Sequence, residues 1–397
     1  MSPWSYFLRW PSFAIFTVAL LSPTLSQASD KTICMTYPMS RFYDASPEFF
    51  VAENDCQSDS DCDSVVGAIS GVCEPNGCEY DYGEDLGRSN TLRRPRYILA
   101  QVYRNDNSLA WVGYATKGGC TGSFPSGGGP FRLRVFPVYQ STVTDTRFTV
   151  KTCTGSTSTS CYTPAFDRTG IQMSGVSTAT VELDPDTTLD AFIAMSNALS
   201  RFAENKFSNW NDFVVEVGRE CGGVECGAAV DWPSSANFPR VTLSTPKARS
   251  KFTTVHEMAH ALHLDLVGTA SGIADCSYGS GNADNHTMLS PEYQSCANTE
   301  GVAHYLSAAA WNNLGTNADG HIVTFTNSSS PSSFVSWDVE SGLNQVEPQC
   351  SPSCCGLATE HDWNRFYWDF RTNSGSKPDT ISPPTHTNIG ASLRVVG

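Results

Sequence analysis

The sequence predicts an α+β chain, strands first and helices later, and three observations carry that expectation. From Tyr97 to Val150, apolar residues recur at alternate positions, the period of a half-buried strand. From Leu189 to Phe202 they recur mostly at steps of three and four, the period of a helix with one apolar face. The run Val255 to Leu264 contains neither glycine nor proline and reads as a further helix.

Taken in order, residues 1–28 read as a signal peptide. Arg9 gives the positive flank, Trp10 to Leu21 is mostly apolar, and Ser26-Gln27-Ala28 offers small residues for cleavage. That apolar run is too short to span a bilayer comfortably, and nothing later resembles a transmembrane helix. Residues 29–90 form an acidic, cysteine-rich segment in which Asp55, Asp59, Asp61 and Asp63 surround Cys56 and Cys62, with Cys73 and Cys78 following. So few apolar residues cannot build a core unaided, so a small disulfide-stapled cap is expected.

Residues 91–180 read as an antiparallel β-rich module. Tyr97 to Tyr103 is a strand, Ser108 to Thr116 its hairpin partner across Asn105-Asp106-Asn107, and Phe131 to Tyr139 and Phe148 to Val150 follow. Gly118-Gly119 and Gly127 to Pro130 mark turns. Residues 181–397 carry the helices. Asp184 to Asp190 suits a helix start, and Val214 to Val217 and Arg240 to Leu243 read as strands ahead of the glycine-free run.

Composition narrows the classes of function. With 40% apolar and 16% charged residues the chain is globular, and 397 residues suggest two or three domains. None of the 15 cysteines precedes Cys34, and that density argues for disulfides made in an oxidising compartment. The odd count leaves at least one thiol unpaired within the monomer; proximity suggests Cys153 with Cys161, Cys221 with Cys226, and Cys276 with Cys296. The net charge is -15, or -16 once Arg9 leaves with residues 1–28, and such a surface repels nucleic acid and anionic lipid.

The chemistry concentrates in His256-Glu257-Met258-Ala259-His260. Two histidines four apart on a helix share one face, so two ring nitrogens reach one ion at about 2.0–2.1 Å. Glu257 then lies beside the metal, placed to move a proton to or from a bound water. Thr253 or Thr254 suits the helix cap, and Val255, Met258, Ala259 and Leu262 form the side that packs.

This run resembles the zinc signature of the zincin metallopeptidases, whose branches differ in the third ligand. Metzincins continue to a glycine and then a histidine or aspartate; here those positions hold His263 and Leu266, and leucine cannot bind zinc. Aspzincins use a Gly-Thr-x-Asp run; Gly268-Thr269 is followed by Ala270-Ser271, and the nearest echo is the displaced Asp275. Gluzincins use a glutamate on a downstream helix, and Thr299-Glu300-Gly301-Val302-Ala303-His304-Tyr305 is similar to that segment. The resemblance covers Arg201 to Trp311. Glu300 and Asp275 both stand as third-ligand candidates, Glu300 the favoured one. One departure is His304, where gluzincins often carry an aspartate that orients a zinc histidine.

The resemblance implies a zincin-like catalytic domain over 181–397. Zn2+ would be held by His256, His260 and Glu300, with Glu257 as general base and a polypeptide as substrate. Tyr293, Tyr305, His361 and Tyr367 are candidate oxyanion donors, and the strand Arg240 to Leu243 would form the substrate-pairing edge. The implied setting is extracellular or periplasmic, with no nucleic-acid partner and no stable membrane insertion. The competing reading is a non-catalytic, secreted, disulfide-rich binding protein whose zinc is structural and takes a fourth ligand such as His263 or His304.

Overall fold

The structure is a computed structural model that describes residues 30–38, 70–74, 77–81, 92–125, 129–141, 146–204, 212–231, 238–267, 288, 292–312, 321–325, 334–339 and 357–372. The expected signal peptide, most of the cysteine-rich segment and Asp275 lie outside these residues.

The first strands are β1 (Thr32–Pro38), β2 (Ser70–Glu74), β3 (Gly77–Asp81), β4 (Leu92–Arg93), β5 (Ile98–Tyr103) and β6 (Leu109–Tyr114). Next come β7 (Phe131–Gln140), β8 (Arg147–Cys153), β9 (Cys161–Tyr162), β10 (Phe166–Ile171) and β11 (Thr178–Glu182). Helix α1 (Thr187–Glu204) is followed by β12 (Phe213–Val217), β13 (Glu220–Cys221), β14 (Val224–Glu225), β15 (Ala229–Asp231) and β16 (Arg240–Leu243). Helices α2 (Thr245–Ala248) and α3 (Lys251–Val267) precede β17 (Glu292–Tyr293) and α4 (Gln294–Trp311). The last elements are β18 (His321–Phe325), β19 (Phe334–Asp338), β20 (Leu357–Ala358) and α5 (Glu360–Thr372). The fold is therefore mixed α+β.

A nine-stranded sheet organises the molecule. Its path is β15-β16-β12-β8-β7-β5-β6, with β10 also on β7 and β9 on β8. Strand β7 shows why the sequence folds this way: every second residue is buried, from Phe131 through Leu133 and Val135 to Tyr139. Pro137 lacks a ladder donor, and it falls where the register with β5 slips, between the pairs Ile98–Tyr139 and Leu99–Phe136. The β5–β6 hairpin turns at Asn107, whose φ of 62° is a left-handed conformation that asparagine tolerates.

One expectation is corrected, and two pairings reach beyond the bounds read from sequence. Pairing among β5, β6, β7, β8 and β10 is antiparallel, yet β11 pairs in parallel with β1, and β8 continues in parallel into β12. Within 91–180 the pairing is antiparallel, and the parallel partners β1 and β12 both lie outside that range. The same sheet continues past residue 180, where β12 and β16 extend the strands of 91–180. Finally, Arg240–Leu243 is not an edge: β16 has β12 on one side and β15 on the other, so β15 is the outer strand.

Strand β1 is built into the same core. Ile33, Met35 and Tyr37 are fully buried, Cys34 is bonded to Cys120, and the Tyr37 hydroxyl donates to Asp190 Oδ1 of α1 at 2.7 Å. Helix α1 packs on β7, β8 and β12 and also against α3 and α4. It is buried all round rather than on one apolar face, from Thr188 to Ser200. Its inward polar groups bond locally: Ser196 and Asn197 both donate to the Ile193 carbonyl. The disulfides Cys153–Cys161 and Cys221–Cys226 pair as proximity suggested, whereas Cys34–Cys120 closes a separation of 86 residues that no local signal marks. Cys296 is disulfide-bonded too, and Cys276 lies outside the described residues. Among the described residues, no helix is long and apolar enough to cross a membrane.

Phe148 is the joint between sheet and helices. Its ring lies 4.9 Å from Tyr139, 5.0 Å from Phe213 and 5.4 Å from Phe192, so β7, β8, β12 and α1 meet on it. Phe148→Ala is expected to cost about 3–5 kcal/mol in chemical denaturation. A variant as stable as the wild type would mean that these elements do not share one core.

Candidate metal centre

Helix α3 presents the two histidines. It begins at Lys251, and Ser250 caps it, accepting the Thr253 N–H on its hydroxyl at 3.2 Å. The cap lies upstream of the Thr253 or Thr254 expected from sequence, because α2 ends immediately before it. Val255, Met258, Ala259 and Leu262 are buried, as the packing side requires. His256 and His260 therefore project together from one face.

The third group arrives on α4, which two hydrogen bonds anchor to the start of α3. Ser307 donates to the Phe252 carbonyl at 2.8 Å, and the Trp311 indole donates to the Lys251 carbonyl at 3.2 Å. On its other side α4 meets α5 so closely that glycine is required at 301. A Cβ there would sit 2.3 Å from the Cβ of Trp363 and 2.9 Å from the Glu360 carbonyl oxygen. Tyr367 reinforces the contact by donating to Asn298 Oδ1 at 2.7 Å.

This packing brings His256, His260 and Glu300 together. The two Nε2 atoms are 3.0 Å apart, and each lies 3.1 Å from Glu300 Oε2. An ion bound to all three at about 2.0–2.1 Å with tetrahedral angles would space them about 3.3 Å apart, so the triangle needs only slight expansion. The donor set, two imidazoles and a carboxylate, is one that a transition-metal ion accepts. The three side chains keep 13%, 12% and 14% of their surface exposed, so the group is largely buried but still touches solvent. Glu300, of the two third-ligand candidates, is thus beside the histidines.

The two imidazoles differ sharply in their affinity for a proton. Burial, the neighbouring His304 and His260 push His256 down to about 3. Burial also acts against a charge on His260, but the charge and hydrogen bond of Glu300, aided by Glu257 and Glu360, override it and raise His260 to about 9. Glu300 likewise resists burial and is held well below the carboxylate range by the two histidines.

Glu257 is nearly buried beside the pair, and its charge favours the protonated forms of both His260 and Lys247. His263 is buried, and burial lowers it to about 4. His304 does not take the orienting role of the gluzincin aspartate. Its ring packs on that of His256 at 4.3 Å and 45°, its Nε2 meets Glu360 Oε2 at 2.9 Å, and His256 Nδ1 has no hydrogen-bond partner among the described residues.

Of the candidate oxyanion donors, Tyr305 is fully buried, and the Tyr367 hydroxyl is engaged by Asn298, with burial raising it to about 12. The His361 ring is buried at the start of α5, and the side chain of Tyr293 lies outside the described residues. Sequence reasoning missed Glu360 as part of this neighbourhood. It reaches the site through the α4–α5 contact alone, and only the small residue at 301 hinted that a helix comes close. A further grouping, Cys153, Cys161 and Glu216, has its sulfurs closed in a disulfide. No family model, curated protein or solved structure matches this chain.

Any metal ion entering the triangle has to displace the proton that His260 holds below about pH 9. Zn2+ affinity, measured with a competing chelator, is therefore expected to rise about tenfold per pH unit and to keep rising between pH 7 and 8.5. A plateau above pH 7, as an ordinary imidazole would give, would contradict the raised proton affinity of His260.

Proposed function

We propose that this chain is a zinc-dependent endopeptidase of the zincin type, exported to an oxidising compartment. The observation that carries the reading is the triangle of His256, His260 and Glu300 with Glu257 one residue from the first histidine and nearly buried beside the second. Three protein ligands that still touch solvent suit a catalytic zinc site, whereas structural sites are closed by four. A zinc ion held there supplies a Lewis acid that polarises a carbonyl and acidifies water.

The residues of the chain do the rest. Glu257 accepts a proton from the water whose oxygen bonds to the scissile carbonyl carbon. As the carbon–nitrogen bond breaks, it returns that proton to the leaving amine. The outer strand β15 runs antiparallel to β16 and packs beside α3, and among the described residues no strand pairs with its other edge, which suits it to an extended polypeptide. That edge takes the role which the sequence assigned to β16.

The disulfides Cys34–Cys120, Cys153–Cys161 and Cys221–Cys226 support an extracellular or periplasmic setting. The acidic surface favours neither nucleic acid nor anionic membrane as a partner. The competing reading, a structural zinc in a binding protein, needs a fourth donor. The ligand atoms of His304 group with Glu300 and Glu360 and not with both imidazoles, which weighs against it for that role.

Glu257→Gln keeps the shape of the side chain and removes the base. It is expected to leave Zn2+ content unchanged and to lower cleavage of an unstructured protein substrate by about 100- to 10,000-fold. Wild-type cleavage by this variant would overturn the assignment of Glu257, and no cleavage by the wild-type enzyme with zinc bound would favour the structural site.

A further inference from the structure

Glu300 stands between two sets of donors. On one side are His256 and His260; on the other are His304 and Glu360, and the ligand atoms of Glu300, His304 and Glu360 lie within 4.8 Å of one another. Glu300 and His304 are four apart on α4 and so share a face. Glu360 is fixed opposite them by the contact at Gly301, where the backbone of α5 touches α4. His304 and Glu360 are 9% and 1% exposed, so this donor group is deeply buried.

We propose that Glu300, His304 and Glu360 bind a second divalent transition-metal ion, with Glu300 bridging it to the ion held by His256 and His260. The first argument is the donor set: two carboxylates and an imidazole suit Zn2+ or Mn2+, and a carboxylate has two oxygens to share. Glu300 Oε2 faces the first pair of histidines, which leaves Oε1 for the second site.

The second argument is charge. Glu257, Glu300 and Glu360 all act electrostatically on His260, so three carboxylates crowd one largely buried volume. Buried charges demand compensation. Glu360 already meets His304 Nε2 at 2.9 Å, and an ion bound by both would draw that pair and Glu300 onto one centre.

The third is Asn364, four residues beyond Glu360 on the same face of α5. It is fully buried, and neither of its amide atoms has a hydrogen-bond partner among the described residues. A buried amide of that kind fits beside a metal site, where it can bond a ligand oxygen or a metal-bound water. Paired ions of this type sit about 3.5–4 Å apart in hydrolytic enzymes. The proposal rests on the first triangle binding a metal, because Glu300 is common to both sites.

The test is the metal content of the full-length chain, purified and equilibrated with buffered free Zn2+ and, separately, Mn2+. Wild type is expected to hold two ions per chain. His304→Ala and the near-isosteric Glu360→Gln are each expected to hold one, while His256→Ala loses the other. Thermal melting of each variant checks that it is folded. With Mn2+, the electron paramagnetic resonance signal of the wild type should show coupling between two ions that Glu360→Gln abolishes.

One ion in wild type and one in Glu360→Gln would overturn the second site and leave the first standing. No bound ion in wild type would overturn both. Two ions in every variant would show that the extra ion sits elsewhere, and would also overturn the proposal. Should His304→Ala fail to fold, Glu360→Gln alone decides between these outcomes.

Discussion

Two imidazoles one helical turn apart offer only half of a metal's coordination sphere, so everything at this centre depends on how closely a second helix lies against the first. That spacing is set away from the donors themselves. Ser307 and Trp311 hold α4 to the opening carbonyls of α3. Gly301 lets α5 press on α4 from behind, where a Cβ would come within 2.3 Å of Trp363. The carboxylate of Glu300 is thereby held between rigid elements, the condition under which a ligand set is preorganised rather than gathered by the ion.

The sheet supplies the other half of this rigidity. Strands β8, β12 and β16 lie side by side in parallel, and α1 fills the space between them and the helices that carry the donors. Because α1 is buried all round, it cannot shift without disturbing both layers. The aromatic cluster around Phe148 spans that junction. Residues on both sides of position 180 therefore contribute to the support under the helices that carry His256, His260 and Glu300, and removal of the preceding strands would take away part of the sheet itself.

Local features of this protein were legible in its sequence, and non-local ones were not. The alternation of β7 and the one-turn spacing of His256 and His260 are each written within a few residues, and the structure displays both. Glu300 was readable because a short run around it has its own composition. Glu360 was not, since nothing near it in the chain says which helix it faces. The outer strand β15 has three residues, too few for a period to show, so the longer β16 was taken for the edge. The helix cap was misplaced because threonines and serines cap equally well on paper, and the end of α2 decided between them. The parallel pairing of β1 with β11 and the Cys34–Cys120 bond join segments whose relation no local pattern records.

That pairing has a consequence for biogenesis. β1 begins at Thr32, but the strand on which it lies begins at Thr178. A ribosome delivers β4 and residues 119–124, which also bond to β1, well before β11, so the face bearing Ile33, Met35 and Tyr37 is completed only late in synthesis. Contacts of such long range slow folding. The newborn polypeptide thus has a built-in interval of vulnerability to mispairing, during which chaperones and oxidative folding catalysts would act on it before Cys34 finds Cys120.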